Sequence, residues 1–162
     1  MFDIVPWQDV PHLRPLVRHF FDMAVLEAYP ELLQLGAVTR RERLDALRER
    51  HEEVPDRRIW LARREREVCG MVWLEPEWHP ITEVGHWLVV SLAVEPAWRR
   101  QGIAGGLLRH ALKEANAHAP LPARLFVAAH NTAARSLYQR MGFTPTTLEL
   151  RRTPEPPATP PD

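Results

Sequence analysis

The stretch that decides the fold spans residues 89–108 and reads VVSLAVEPAWRRQGIAGGLL. It begins with an apolar, partly β-branched run that stops at Glu95-Pro96, which indicates a strand. A basic turn follows at Arg99-Arg100, and glycines with other small residues then open an amphipathic segment. This order predicts strand, loop and helix. Because a helix N-terminus presents unpaired N–H groups and a partial positive charge, we expect an anion, and phosphate in particular, to bind there.

Two well-known phosphate-binding motifs do not fit this stretch. No Gly-Lys-Ser/Thr ends the loop, which argues against a Walker A site, and the G-x-G-x-x-G spacing of dinucleotide-binding folds is absent. Glycines at an ordinary strand-to-helix turn would look similar. The interpretation therefore depends on the arginines that precede them and on a second block downstream.

That second block, residues 131–143, reads NTAARSLYQRMGF. Together the two blocks resemble the acyl-CoA-binding segments of the GCN5-related N-acetyltransferases, the GNAT family. Residues 99–104 match its Arg/Gln-x-x-Gly-x-Gly/Ala pattern, and residues 131–143 match its Asn-x-x-Ala-x-x-Leu-Tyr-x-x-x-Gly-Phe segment. The resemblance is strong from about residue 84 to 143. It implies an α/β fold (an α+β mixed sheet), with a central mixed β-sheet flanked by helices on both faces.

Apolar spacing and turn residues predict the other elements in a matching order. Strands are predicted at residues 2–5, 58–63, 68–74, 84–94, 125–129 and 146–151, with a Pro-bounded loop at 75–80. A first helix is expected from Asp9 or Pro11. A second is expected from the capping-box pattern that starts at Thr39, with its Arg, Glu and His side chains outward. The third follows Gly102, and the fourth runs from an N-cap at Asn131 to a C′ glycine at Gly142.

Composition limits the classes of protein that fit. The 162 residues predict one domain over 1–152, followed by a Pro-rich, disordered tail at 153–162. Lys+Arg and Asp+Glu both number 21, so no overall charge would attract nucleic acid or an anionic membrane. The one cysteine, Cys69, excludes an intrachain disulfide, and the scattered histidines predict no metal site. Without a signal peptide or a long apolar run, the chain is expected to be cytoplasmic.

The resemblance also assigns cofactor-binding residues. It implies that the backbone of Leu92, Ala93 and Val94 pairs with the pantetheine arm of the thioester, and that one of these N–H groups stabilises the developing oxyanion. The diphosphate is expected at a loop of six residues: Arg99, Arg100, Gln101, Gly102, Ile103 and Ala104. Asn131 matches an asparagine that contacts pantetheine, a role compatible with a plain N-cap. Tyr138 matches a tyrosine that binds near the thiol and acts as general acid, with core packing as the alternative.

The general base is less well defined. Family members carry a glutamate at the place of Leu88 or of Phe126, and both carboxylates are missing here. His86 would share a strand face with Leu88, although it also fits an ordinary half-buried histidine. The open candidates are His86, Glu83, Glu75, His79 and a water chain to solvent.

The sequence therefore predicts an acyl-CoA-dependent N-acyltransferase. It is expected to transfer acetyl from acetyl-CoA to a primary amine, of a small molecule or a protein, by direct attack in a ternary complex. The alternative is a non-catalytic acyl-CoA-binding module that has lost its base, although the retained Tyr138 argues against it. Only one strand has room after Phe143, which would leave a sheet edge that favours a homodimer.

Overall fold

The computed structural model describes residues 1–8, 11–79, 81, 83–150 and 152. The strands are β1 (Asp3–Pro6), β2 (Arg58–Arg64), β3 (Glu67–Trp78), β4 (Gly85–Val94) and β5 (Ala123–Leu125). The helices are α1 (Arg14–Ala28), α2 (Ala37–Glu52), α3 (Ile103–His118) and α4 (Thr132–Arg140), with short 3-10 turns at Pro11–Leu13, Pro30–Gln34 and Pro96–Trp98. The strands form one sheet in the order β1-β2-β3-β4-β5. β1 to β4 are antiparallel and β5 is parallel to β4, which confirms the predicted mixed sheet.

Helices cover both faces of the sheet because successive apolar residues of the strands point alternately to one face and to the other. On one face, Val17, Phe20 and Phe21 of α1 pack on residues of β2 and β3 that include Met71 and Trp73. On the other, the apolar stripe of α3 packs on a set that includes Trp60, Val72, Leu74, Trp87 and Val89. The stripe comprises Ile103, Leu107, Leu108, Ala111 and Ala115. Among the described residues, no helix is long and apolar enough to cross a membrane.

The second helix begins before the predicted capping box, so that prediction is wrong. α2 starts at Ala37 with Gly36 as its N-cap, no side chain caps it, and Thr39 lies within its first turn. Its charged residues are not all outward either, because Arg48 is only 5% exposed. The Arg48 guanidinium pairs with Asp45 at 2.8 Å, Glu52 at 3.2 Å and, across to α1, Asp22 at 3.8 Å.

The predicted loop at residues 75–80 is also wrong, because β3 continues to Trp78. Its last residues pair with the start of β4, and Pro76 lies opposite Trp87. The Trp87 N–H donates away from β3, to the Pro122 carbonyl at 2.8 Å. Pro76 and Trp87 therefore form a non-hydrogen-bonded pair, and an N–H at position 76 would point away from β4, toward the β2 side. On that side β2 has already ended at its Arg58↔Leu74 pair, so β2 offers no acceptor there. The proline therefore costs the sheet no hydrogen bond.

The C-terminal part of the sheet differs most from the prediction. The fifth strand covers 123–125 instead of 125–129, and Phe126 is 70% exposed. Residues 143–150 form no strand, with Leu148 and Leu150 exposed by 78% and 83%. A strand needs a neighbour's backbone to pair with, and β5, the edge strand, is only three residues long. Asp9, Pro80, Arg151 and the tail 153–162 lie outside the described residues, so the predictions on them stay predictions.

Candidate active site

The site begins where two parallel strands separate. β5 pairs with β4 only through Trp87↔Ala123, Leu88↔Arg124 and Val89↔Leu125. Beyond this point, residues 90–94 of β4 have no strand partner on the β5 side within the described part of the chain. A bulge lies at the same place, because Trp73 faces Ser91 and Leu74 faces Val89, which leaves Val90 without a partner in β3. We call the β5-facing backbone of residues 90–94 the open edge; it contains Leu92, Ala93 and Val94.

The open edge leads directly to the N-terminus of α3. Gly102 is the N-cap, with φ 81° in the left-handed region, and no side chain caps the helix. The Gly106 N–H is bonded to the Gly102 carbonyl at 2.9 Å, so the preceding N–H groups of Ile103, Ala104 and Gly105 have no acceptor within the helix. A Cβ at Gly102 would meet nothing within 4 Å. The first turn of α3 therefore offers main-chain donors to open space, as an anion requires.

The two arginines of the loop have different surroundings. The Arg99 Nε donates to the Val94 carbonyl at 2.9 Å, and its guanidinium also pairs with Glu27 of α1. Arg99 thus fastens the loop to β4 and α1. Arg100 is exposed, with φ 62°, and has no ion pair among the residues that the structure describes.

A further cation lies beside the loop. The Arg64 Nη1, at the end of β2, donates to the Gln101 Oε1 at 2.8 Å, and its guanidinium lies 4.9 Å from the Trp98 ring centroid. The sequence analysis missed Arg64 because its position depends on how β2 lies in the sheet. Nothing in the spacing of the loop itself indicates it.

The fourth helix is fixed at both ends. The Asn131 Oδ1 accepts from the Ala134 N–H at 3.0 Å, which confirms the predicted N-cap. At the other end Gly142 has φ 88°. The Gly142 N–H bonds to Gln139 and the Phe143 N–H to Tyr138, both at 3.0 Å, in a Schellman arrangement.

Tyr138 packs from α4 against the α3 side of the core, with its ring centroid 5.8 Å from that of Phe143. Burial raises the pKa of Tyr138 to about 12. Its hydroxyl has no hydrogen-bond partner among the described residues. The phenol therefore stays protonated at physiological pH and keeps its donor available.

The structure does not bring His86 or Glu83 to the open edge. His86 lies at the start of β4 opposite Glu77, and Glu83 is exposed in the loop before it. At roughly 3.3 Å per strand residue, His86 is about 20 Å from Leu92, and Glu83 is farther away. Glu75 is closer to the centre of the sheet and only 5% exposed.

The described residues also show where the cysteine lies and whether acidic, histidine or cysteine side chains cluster. Cys69 is buried, its thiol donates to the Ala62 carbonyl at 3.3 Å, and burial raises the pKa of that thiol, so it stays protonated. No group of acidic, histidine or cysteine side chains within the described ranges could hold a metal ion.

A groove of about 540 Å³ lies beside α1, next to α2 and the 3-10 turn Pro30–Gln34 that connects the two helices. Its lining includes Asp22, Glu27, Leu33 and Arg41. Desolvation raises the pKa of Asp22, with Arg48, Arg41 and Arg18 opposing the rise. Glu27 belongs both to this groove and to the Arg99 pair, so the groove adjoins the loop that carries the predicted diphosphate site.

Comparison with known proteins agrees with this geometry. The model of the Acetyltransferase (GNAT) family matches residues 14–143. A structure from Pyrococcus furiosus described as an acetyl transferase is 19% identical, with a TM-score of 0.78, over 94% of this chain and 99% of that one. A GCN5-related N-acetyltransferase from Ralstonia eutropha is 20% identical, with a TM-score of 0.68, over 94% and 99%.

An acetyltransferase structure from Clostridium acetobutylicum, with acetyl-CoA, is 16% identical, with a TM-score of 0.68, over 93% of this chain and 96% of that one. At these identities the likeness concerns the fold. No curated protein sequence matches the chain.

Proposed function

The chain belongs to the acetyltransferase (GNAT) family, and on that premise we propose that it transfers acetyl from acetyl-CoA to a primary amine. The amine would attack the thioester directly in a ternary complex. The observation that carries this proposal is the continuity of the open edge with the uncapped first turn of α3. The extended pantetheine arm can pair with the open edge while the diphosphate at its end reaches the first turn of α3.

The residues at this site suit acetyl-CoA as a substrate. The N–H groups of Ile103, Ala104 and Gly105 would bind diphosphate oxygens, and Arg100 would add an unpaired positive charge. Arg99 would act through the loop, since Val94 and Glu27 occupy its guanidinium. Asn131 caps α4 and would contact pantetheine only from that fixed position.

The transfer forms one bond and breaks another. The neutral amine nitrogen attacks the thioester carbonyl carbon, and the N–H of Leu92 or Val94 stabilises the oxyanion that develops, since the register turns the Ala93 N–H toward β3. The carbon–sulfur bond then breaks and its electron pair leaves on the sulfur. The amine nitrogen gives up a proton, and the thiolate gains one.

Tyr138 would donate a hydrogen bond to the leaving sulfur. With its pKa raised to about 12, complete proton transfer to a thiolate of ordinary pKa near 8.5 would be uphill by on the order of 5 kcal/mol. A hydrogen bond needs no such transfer, and it still stabilises negative charge on sulfur in the transition state. Solvent would supply the proton after the thiolate leaves.

The proposal is tested by incubating the protein with acetyl-CoA and a panel of amines while free thiol is followed. The panel contains polyamines, aminoglycosides, amino acids and peptides with free N-termini or lysines. Amine-dependent thiol release with acetylated product is the expected result. Acetyl-CoA binding by calorimetry without thiol release for any amine would instead support a non-catalytic binding module, and absence of binding would overturn both functions.

A further inference from the structure

The sheet face covered by α1 and α2 carries buried polar atoms without partners. They include Trp73 Nε1, Glu75 Oε2 and Ser91 Oγ, none of which has a hydrogen bond to a described residue. Their residues are 0%, 5% and 3% exposed. Buried polar groups in folded proteins nearly always have a partner, since an unsatisfied one costs about 1–3 kcal/mol. These three atoms therefore indicate a place where a reacting group or a water molecule is bound.

The register of the sheet brings these side chains together. Trp73 of β3 lies opposite Ser91 of β4, so both point to the same face. Glu75 follows Trp73 by two residues and shares that face. Ser91 lies within the open edge, between the bulged Val90 and Leu92. Its hydroxyl therefore faces α1 and α2 at the position in β4 where the thioester is proposed to pair.

The other oxygen of Glu75 is occupied. Glu75 Oε1 lies 2.9 Å from the Nδ1 of His51, in the last turn of α2. The His51 ring packs between Phe21 and Trp73, with centroid distances of 5.9 and 6.2 Å, which fixes its orientation. A carboxylate partner favours the tautomer with hydrogen on Nδ1, so the imidazole donates to Glu75. The His51 side chain is 22% exposed and connects the pair to solvent.

We propose that Glu75 accepts the proton that the acceptor amine loses, through a water molecule that also bonds to the Ser91 hydroxyl, with His51 as the positioning residue. This inference rests on the proposed function. As the nitrogen bonds to the carbonyl carbon, its proton moves to that water molecule, and the water gives one of its own protons to the free Oε2 of Glu75, since Ser91 Oγ and Glu75 Oε2 are not bonded to each other. The Nδ1–H of His51 orients the carboxylate beforehand. Solvent removes the proton from Glu75 between turnovers.

The test compares Glu75→Gln, Ser91→Ala and His51→Ala with wild type, using the amine of the panel that wild type acetylates fastest. Glu75→Gln keeps the shape of the side chain, and we expect kcat to fall about 100-fold, as for loss of a general base. Ser91→Ala is expected to lose about tenfold. The Kd for acetyl-CoA, measured by calorimetry, should stay within about twofold in both, because the two side chains face α1 and α2 and the proposed donor contacts are made by the backbone. Added imidazole should restore part of the activity of His51→Ala and none of that of Glu75→Gln.

Exposed residues provide matched controls: Glu53→Gln at the C-cap of α2, Ser136→Ala on α4 and His118→Ala on α3 should behave as wild type, without a response to imidazole. Wild-type kcat in a folded Glu75→Gln would overturn the inference while the proposed function stands. If Glu75→Gln does not fold, wild-type kcat in Ser91→Ala has the same consequence. If wild type releases no thiol with any amine, the proposed function fails and this inference fails with it.

Discussion

Tyr138 is the residue at which packing and chemistry are most closely connected. The same burial that seats its ring against Phe143 raises the pKa of its hydroxyl to about 12 and holds it as a donor. Tyr138→Phe keeps the ring and removes only the hydroxyl. We therefore expect kcat to fall about 10- to 100-fold through loss of one hydrogen bond to the leaving sulfur.

Stopped-flow or steady-state thiol release measures this effect, with acetyl-CoA affinity followed in parallel. Tyr29→Phe is the matched control, because Tyr29 is the other tyrosine of the chain and lies in the turn after α1. Equal turnover in Tyr138→Phe and wild type would remove Tyr138 from the mechanism.

The raised pKa of Tyr138 also has a consequence for pH. The phenol stays neutral across the range from pH 6 to about 10, so its donor role predicts no loss of activity with ionisation of Tyr138 in that range. A basic limb below pH 10 that disappears in Tyr138→Phe would contradict this prediction.

At the scale of single elements, the first turn of α3 depends on Gly102. Its φ of 81° disfavours any residue with a Cβ by roughly 1–2 kcal/mol. Gly102→Ala should therefore lower the stability of the turn and weaken acetyl-CoA binding by about tenfold, the equivalent of 1.4 kcal/mol. Calorimetric titration measures the binding.

Gly36→Ala serves as the control for that variant, since Gly36 is also an N-cap but has an ordinary φ of −54° and open space around it. It is expected to bind acetyl-CoA as wild type does. Unchanged binding by Gly102→Ala would show that the left-handed cap is dispensable for the donor site.

The packing of α2 on α1 depends on a buried cation. Arg48 is surrounded by Asp22, Asp45 and Glu52, and its removal would leave carboxylates without their principal partner. We expect Arg48→Met to lower the free energy of unfolding by about 3 kcal/mol, as when one member of a buried ion pair is deleted. Urea denaturation measures the change, and Arg43→Met, exposed on the same helix, should cost far less. Equal midpoints for the two variants would contradict the prediction.

The sequence predicted elements well where local signals agree with the fold. The Asn131 cap, the Gly142 terminus and the apolar stripe of α3 arise within one helix, so spacing alone indicates them. Prediction from the sequence failed where a neighbouring strand determines whether a segment forms a strand. Pro76 looks like a loop residue until β2 is seen to end beside it, and residues 146–150 look like a strand although no neighbour pairs with them. His51, Arg64 and Arg48 were missed because their partners come from other elements.

For the whole molecule, the end of the sheet at β5 predicts self-association. Within the described residues β5 pairs with β4 alone, and Phe126, which follows it, is largely exposed, as are Leu148 and Leu150 later in the chain. Exposed apolar residues beside an unpaired edge favour pairing with a second chain. We therefore expect a homodimer in solution, measured by light scattering after size exclusion.

Leu148→Lys combined with Leu150→Lys should shift that dimer to monomer. Val38→Lys, which replaces another exposed apolar residue on α2, should leave the mass unchanged. A monomeric wild-type chain at high micromolar concentration would contradict the prediction.

The separation of β4 from β5 determines which substitutions in β4 would weaken binding of the donor substrate. The Glu95 N–H bonds to the Cys69 carbonyl of β3, so in this register Leu92 and Val94 are the residues of the open edge whose N–H groups face away from β3. Every amino acid but proline supplies such an N–H group. A side-chain substitution at these two residues leaves the main-chain recognition atoms in place, so it should affect donor binding less than it affects packing. Proline is the one replacement that deletes the donor outright, and a comparison of Leu92→Pro with Val94→Pro would show which amide the thioester needs.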